Sequence, residues 1–172
     1  MKKKIFMVVV LFAGLFMIWL IVQSVREFHQ KRVLAERIQN LPAFHLTDLQ
    51  GKEITSADIL KKKPAVLIYF KTTCPFCQAE IKDLQKHPVI SKYARIFLIS
   101  RESHAAVMKF YQDYHLSKIP GLDILLDPDH TFHQKMGVSS FPNTFVYNTH
   151  GHLIKHFRGE TAAKVIEGTL EE

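Results

Sequence analysis

The fold of this chain is decided by residues 65–86, which read AVLIYFKTTCPFCQAEIKDLQK. Residues 65–70 form a short, continuous apolar run, which is typical of a strand that is buried on both faces. Three polar residues interrupt the run, and residues 78–86 then follow the period of an amphipathic helix. The pattern therefore predicts a buried strand, a short loop and a helix, with two cysteines at the start of the helix.

The chain has only two cysteines, Cys74 and Cys77, and they enclose Pro75 and Phe76. At this spacing a Cys74–Cys77 disulfide can close when both residues lie on the first turn of a helix. The free amides and the dipole of a helix N-terminus favour a negative charge, so the predicted position of Cys74 favours its thiolate and makes it the nucleophile. Pro75 fits the first helical position, where a missing N–H costs nothing. Cys77, one turn further on, is the expected resolving thiol.

Two other interpretations of the cysteine pair are less favourable. A structural zinc site needs four ligands, and the nearest thing to paired histidine ligands is His130 with His133 and His150 with His152. An inert structural disulfide would close too small a loop to stabilise the fold much. The setting between a strand and a helix favours a redox-active disulfide, with no metal and no other cofactor.

An apolar segment at residues 5–22 precedes this region. At about 1.5 Å per residue it spans about 27 Å as a helix, just enough to cross a bilayer. The lysines at residues 2–4 predict that a short basic tail, residues 1–4, stays in the cytoplasm. A cleaved signal peptide is the alternative, but the segment exceeds a normal signal core and no Ala-x-Ala-like site follows it. We therefore expect an uncleaved signal anchor.

This topology predicts a single-pass protein of the inner cell membrane, with everything from Gln23 onward on the periplasmic or extracytoplasmic side. Disulfides form and persist in such a compartment. The net charge is +7, and the three N-terminal lysines contribute to it. A mild positive surplus spread along the chain is typical of a solvated surface, so we expect no nucleic-acid partner.

After the anchor we expect a juxtamembrane stalk at residues 23–40 and one folded domain at residues 41–172. Two short strands around a turn at Gly51 open the domain. Strands and helices then alternate before an antiparallel pair closes the sheet, which predicts a compact α/β sandwich. The further strands are expected at residues 95–100, 123–126, 144–147 and 152–157, and the further helices at residues 56–60, 103–114, 129–136 and 161–170.

Four features of residues 42–170 resemble one protein family. They are the Pro-x-Phe-x-Leu opening at residues 42–46 with its turn at Gly51, the strand–Cys-x-x-Cys–helix unit, a strand and helix at residues 123–136, and the segment MGVSSFPNTF at residues 136–145. Together they resemble the membrane-anchored TlpA/ResA/DsbE-like branch of the thioredoxin superfamily. The resemblance implies a thioredoxin-like sandwich: a mixed central sheet flanked by helices, with an N-terminal β-hairpin and a central β-α insertion, after one transmembrane helix.

The resemblance also implies a substrate-binding surface around the cysteines. Pro142 would be a cis-proline that faces the disulfide, and such a bond is uncommon enough to be placed for a reason. Phe141 before it would offer backbone groups to a substrate strand. Pro75 and Phe76 would lie at the same surface and tune the reduction potential.

Glu80 follows Cys77 by three residues, and Cys-x-x-Cys-x-x-Glu resembles the reductases of this branch that serve cytochrome c maturation. On a helix the two side chains share a face, where a partly buried carboxylate can exchange a proton with the thiol or raise its pKa. A solvated surface acid is an equal alternative. Thr73 stands where the family usually has tryptophan, and Ile68 where cytoplasmic thioredoxins have a buried acid. Proton handling is therefore expected to depend on Glu80, Lys71 or water.

The resemblance implies thiol–disulfide exchange, in which the catalytic residues Cys74, Cys77 and Glu80 reduce disulfide-bearing partner proteins. A membrane-borne thiol electron donor would re-reduce the pair. The reverse direction, as a disulfide oxidant or isomerase, is the main alternative. A peroxiredoxin-type peroxidase is more distant, because Leu67 and Lys71 occupy the Pro and Thr/Ser positions of its motif. A copper-binding chaperone is also distant, because the related copper proteins space their cysteines by three residues.

Overall fold

The computed structural model describes residues 2–61 and 63–171, with side chains described from Gly14 onward within these ranges. Contacts divide the described chain into two compact units on either side of the Glu36–Arg37 bond. One long helix, α1 at Lys2–Ile38, makes up the first unit and reaches into the second. The helix covers most of the predicted stalk at residues 23–40.

The predicted membrane segment at residues 5–22 begins outside the described side chains. Within the part of the chain that is described, no helix combines the length and the apolar character that a bilayer crossing needs. The signal anchor and the topology derived from it therefore stay predictions.

The second unit is built on seven strands. Their bounds are His45–Asp48 (β1), Glu53–Thr55 (β2), Ala65–Tyr69 (β3), Arg95–Ser100 (β4), Leu122–Leu126 (β5), Asn143–Tyr147 (β6) and Leu153–Arg158 (β7). They form one mixed sheet in the order β2-β1-β5-β4-β3-β6-β7. Strands β3, β4 and β5 are parallel, whereas β6 and β7 and the β1–β2 hairpin pair antiparallel to their neighbours. The predicted N-terminal hairpin and closing antiparallel pair are both confirmed.

Helices cover both faces of this sheet. Their bounds are Ser56–Ile59 (α2), Pro75–Lys86 (α3), Ile90–Tyr93 (α4), His104–Asp113 (α5), Thr131–Met136 (α6) and Ala163–Glu171 (α7), with a 3₁₀ turn at Leu116–Lys118. Apolar residues of α3, α4, α5 and α7 share one core, whereas α6 packs its aromatic residue against the other face of β3. The arrangement is the predicted thioredoxin-like α/β sandwich. The short helix α4 and the 3₁₀ turn were not predicted.

The central strand β3 is buried along its whole length, as its apolar run predicts. On one face, Val66 and Ile68 belong to the core that includes Cys77 of α3. On the other face, the Tyr69 ring stacks on Phe132 with ring centroids 5.6 Å apart. Burial on both faces fixes the direction in which the chain leaves β3, and therefore the position of the loop that carries the cysteines.

Two helices begin two residues later than the sequence predicts, because carboxylates outside each helix bind its first free amides. Asp127 accepts hydrogen bonds from the amides of Phe132 and His133 at the start of α6, at 3.1 and 3.0 Å. Asp83 of α3 accepts from the amide of Ala163 at the start of α7, at 2.7 Å. Such capping decides where a helix begins.

Candidate active site

The cysteine pair lies at the start of α3, as the sequence predicts. Cys74 is the N-cap residue and Pro75 is the first residue of the helix. The amide of Cys77 donates to Cys74 Sγ at 3.4 Å, so the sulfur takes the place of a capping oxygen. Both cysteines are free thiols; Cys74 is half-buried, whereas Cys77 is 1% exposed. A partner protein can therefore reach Cys74 but not Cys77.

The environment of Cys77 opposes its ionisation. Burial raises the pKa of the Cys77 thiol far above its ordinary value. A backbone hydrogen bond at Lys71 counteracts this effect in part, while Cys74 and the negative charge of Glu80 reinforce it. Cys77 therefore stays a thiol at neutral pH until a base takes its proton.

The loop that precedes β6 faces the cysteines. The peptide bond between Phe141 and Pro142 is cis, in agreement with the expectation drawn from the resemblance. The Cys74 thiol donates to the Phe141 carbonyl oxygen, with 3.7 Å between sulfur and oxygen. The backbone of Phe141 is thus placed beside the reactive sulfur.

The side chain of Phe141 is held between an aromatic ring and a cation. Its ring stacks on Tyr69 with centroids 5.7 Å apart and planes inclined by 28°. The ammonium group of Lys71 lies 4.7 Å from the Phe141 ring centroid, within the range of a cation–π contact. Lys71 therefore contacts the cis-proline loop, and its share in proton handling stays a prediction.

A buried carboxylate binds the Tyr69 hydroxyl of the Tyr69–Phe141 pair. The Tyr69 hydroxyl donates to Asp127 Oδ2 at 3.1 Å, and Asp127 is fully buried. Burial and the charge of Asp127 raise the pKa of Tyr69 far above its ordinary value, so the hydroxyl stays a donor. Sequence reasoning missed this pair, because its two members are far apart along the chain.

The loop between β3 and Cys74 is fixed by a carboxylate from another segment. Glu102 accepts from the Thr72 amide at 2.6 Å and from its hydroxyl at 3.1 Å. Gln78 of α3 donates to the Thr72 carbonyl at 2.8 Å. These bonds hold the backbone immediately before Cys74, and Glu102 is a further residue that the sequence pattern did not indicate.

Two exposed apolar residues directly follow Cys74. Phe76 is 59% exposed, and Pro75 is exposed as well. Exposed aromatic side chains are common at the sites where proteins bind one another. Exposed Phe76 thus lies two residues along α3 from Cys74, whose sulfur is 3.7 Å from the Phe141 carbonyl oxygen.

Glu80 is buried, which overturns the alternative of a solvated surface acid. Its side chain is 1% exposed, on the same helix as Cys77. Thr144 Oγ1 donates to Glu80 Oε1 at 2.8 Å, and the Thr161 amide donates to Oε2 at 3.0 Å. The carboxylate therefore joins α3, β6 and the segment before α7.

Burial also changes the acidity of Glu80. The pKa of Glu80 is raised from 4.5 to about 7, and desolvation is the main cause. The hydrogen bonds from Thr144 and Thr161 oppose this rise, whereas the nearby charges of Glu160 and Asp83 contribute to it. A carboxyl group with a pKa near 7 can both accept and release a proton under physiological conditions.

The histidine pairs considered for zinc are not part of a metal cluster in the described residues. Nowhere among residues 2–61 and 63–171 do three or more histidine, cysteine or acidic side chains lie close enough to hold a metal ion. Two of those histidines, His130 and His133, have ring centroids 6.4 Å apart near α6.

A cysteine pair at a helix N-terminus, opposite a cis-proline loop on a mixed sheet, defines the thioredoxin-fold thiol–disulfide oxidoreductases. The chain belongs to the AhpC/TSA family, whose family model matches residues 38–156. Together with this family match, relatives named ResA and DsbE confirm the predicted resemblance and the predicted class of enzyme.

Named relatives agree with this class. The chain is 26% identical over 147 residues to the thiol-disulfide oxidoreductase ResA of Halalkalibacterium halodurans, covering 84% of this chain and 81% of the relative. It is 32% identical over 122 residues to the thiol:disulfide interchange protein DsbE of Pseudomonas aeruginosa, covering 67% and 62%. A secreted Mycobacterium tuberculosis disulfide oxidoreductase homologous to E. coli DsbE has a similar structure, with a TM-score of 0.62 and 26% identity over 79% of this chain and 97% of that one.

Proposed function

We propose that this protein is a membrane-anchored, extracytoplasmic thiol–disulfide oxidoreductase that reduces the disulfides of partner proteins. The observation that supports the proposal best is the unequal placement of the two thiols. Cys74 is half-buried and faces the Phe141 carbonyl, whereas Cys77 is buried on the first turn of the same helix. One accessible sulfur and one protected sulfur are what a two-step exchange requires.

In the first step, the Cys74 thiolate attacks one sulfur of the partner's disulfide. A bond forms between Cys74 and that sulfur while the partner's own S–S bond breaks. The other partner sulfur leaves with the electron pair and takes up a proton. The Cys77 amide, which already donates to Cys74 Sγ, stabilises the attacking thiolate.

In the second step, Cys77 attacks Cys74 and releases the partner. Cys77 gives its proton to Glu80, directly or through one water, and its sulfur forms a bond to Cys74 Sγ. The mixed disulfide breaks, and the partner sulfur leaves with the electron pair. The partner has then gained two electrons, and the protein carries a Cys74–Cys77 disulfide. No cofactor other than this dithiol takes part.

The partner binds as an extended strand beside the cis-proline loop. The backbone of Phe141 pairs with that strand, while Pro142, Pro75 and Phe76 supply its apolar contacts. The exposed ring of Phe76 and the position of the Phe141 carbonyl next to Cys74 support this arrangement. Main-chain pairing suits a reductase with several partners, because it does not depend on one partner sequence.

The cellular setting rests on the N-terminal sequence and on the relatives. The apolar residues 5–22 and their flanking lysines support an anchor in the inner membrane, with residues 41–172 on the periplasmic side. The similar M. tuberculosis oxidoreductase is described as secreted. In that setting a membrane-borne thiol donor re-reduces the pair, and the resemblance to ResA and DsbE supports a role in cytochrome c maturation.

Trapping of the mixed disulfide tests the two thiol roles. Full-length, reduced Cys77→Ser protein is mixed with a peptide that contains one disulfide. We expect a covalent one-to-one adduct that dithiothreitol releases, and none with the matched Cys74→Ser variant. An equal yield of adduct from Cys74→Ser would contradict the assignment of Cys74 as the nucleophile.

The reduction potential tests the direction. We would equilibrate the full-length protein with glutathione or dithiothreitol buffers. A potential of about −270 mV or lower supports a reductase, whereas one near about −120 mV would make the protein a disulfide oxidant or isomerase. Failure to form any Cys74–Cys77 disulfide would refute the exchange reaction itself.

A further inference from the structure

The Glu80 carboxylate receives two hydrogen bonds from outside its own helix. Thr144 of β6 donates its hydroxyl hydrogen to Oε1, and the Thr161 backbone amide donates to Oε2. Both donors are buried, with Thr144 0% and Thr161 8% exposed. Hydrogen bonds to an ionised carboxylate are stronger than those to neutral groups and favour the charged form.

The other surroundings of Glu80 favour its neutral form. Burial disfavours the charge, and the neighbouring acids Glu160 and Asp83 repel it. The titratable and charged side chains that face Glu80 or share its cavity are Cys77, Lys82, Asp83, Lys86 and Glu160. Thr144 and Thr161 therefore provide the hydrogen bonds that counter this environment.

We propose that Thr144 and Thr161 are positioning residues of the exchange reaction: their two hydrogen bonds keep Glu80 ionised, and so able to accept the Cys77 proton, near neutral pH. The inference rests on the proposed function, in which Glu80 receives that proton as Cys77 attacks Cys74. Among the described residues, neither threonine is hydrogen-bonded to a cysteine sulfur; each acts through Glu80.

The segment that carries the Thr161 amide is fixed at both ends. The Thr161 hydroxyl donates to the Gly159 carbonyl at 3.2 Å. Asp83, one turn along α3 from Glu80, accepts from the Ala163 amide at 2.7 Å. The amide of Thr161 is therefore directed at Glu80 by contacts that do not involve Glu80 itself.

The same segment borders a cavity that Glu80 also lines. The cavity has a volume of about 590 Å³, and Glu80, Asp83, Glu160 and Thr161 are among the residues that line it. Neither cysteine lines it, and neither does Phe141. The cavity is therefore distinct from the surface around Cys74 and Phe141.

The test compares Thr144→Val with Thr144→Ser in the full-length protein. Valine keeps the shape of threonine and removes the donor, whereas serine keeps the donor. In each variant, Cys74 is first joined to 2-nitro-5-thiobenzoate as a mixed disulfide. The rate at which Cys77 resolves this disulfide is then measured as a function of pH. The readout is the absorbance of the coloured thiolate that the reaction releases. We call the rise in rate that accompanies the ionisation of Glu80 the Glu80 limb of the pH profile. We expect the Glu80 limb to move to higher pH by about one unit or more in Thr144→Val and to stay in place in Thr144→Ser.

An unshifted limb in folded Thr144→Val protein would overturn the inference. If that variant does not fold, Thr144→Ala removes the same donor and takes its place in the comparison. The Glu80→Gln variant shows whether a negative result concerns the role of Thr144 alone or the proposed role of Glu80 as proton acceptor. Loss of the limb in Glu80→Gln supports proton acceptance by Glu80, whereas a limb that persists there would overturn that role and this inference with it.

Discussion

Replacement of Glu80 by glutamine tests the buried acid through the stability of the fold. Burial raises the pKa of Glu80 from 4.5 to about 7 in the folded protein, whereas the unfolded chain keeps the ordinary value. The folded state therefore binds this proton more tightly than the unfolded state does. The stability that results is complete below pH 4.5 and is lost as the pH rises through 7.

The size of the effect follows from the two pKa values. At pH 8 the ionised carboxylate costs the fold about 3 kcal/mol relative to the protonated one. Glutamine cannot ionise, and it can bond to the same two partners: its oxygen accepts from the Thr161 amide, and its NH₂ group donates to the Thr144 hydroxyl oxygen, which then acts as the acceptor. We expect Glu80→Gln to match the parent protein near pH 4 and to be about 3 kcal/mol more stable at pH 8.

Urea denaturation of the full-length protein, kept reduced, measures this difference between pH 4 and pH 8. Glu171→Gln is the matched control, because Glu171 is exposed at the end of α7. Other titrating groups are common to all three proteins and cancel in the comparison. If the gap in unfolding free energy between the parent and Glu80→Gln were the same at both ends of the pH range, the assignment of a raised pKa to Glu80 would be wrong.

Two further substitutions test the supports of the site by urea denaturation at pH 7. Tyr69→Phe removes a hydrogen bond to the buried Asp127 carboxylate, and we expect a loss of about 1.5–3 kcal/mol. Asp83→Ala removes the acceptor of the Ala163 amide at the start of α7, and we expect a loss of about 0.5–2 kcal/mol. An unchanged free energy of unfolding in either variant would contradict the role given to that bond.

The parts of the site that the sequence predicts are those encoded within one short segment. The apolar run of β3, the polar break and the amphipathic helix place Cys74 at a helix N-terminus without reference to any other part of the chain. Pro75 strengthens the same prediction, because proline is favoured at the first helical position. The structure confirms each of these features, and a cis peptide bond is found before Pro142.

The residues that sequence reasoning missed act across long stretches of chain. Glu102 binds the Thr72 amide, Asp127 binds the Tyr69 hydroxyl, and the Thr161 amide binds Glu80. Each bond depends on which distant segments the fold brings into contact. A local pattern of apolar and polar residues does not predict such contacts. For the same reason the sequence could not decide whether Glu80 is a surface acid or a buried one.

The attachment of Glu80 to the segment before α7 has a consequence for the order in which the protein becomes functional. A ribosome makes Cys74 and Cys77 well before it makes Thr161, and the Thr161 amide supplies one of the two hydrogen bonds to Glu80. A nascent chain that stops short of Thr161 carries both thiols without the complete set of donors around the acid. The dithiol is thus synthesised first, and the hydrogen bonds that hold the Glu80 carboxylate are completed only when the last part of the chain has folded onto α3.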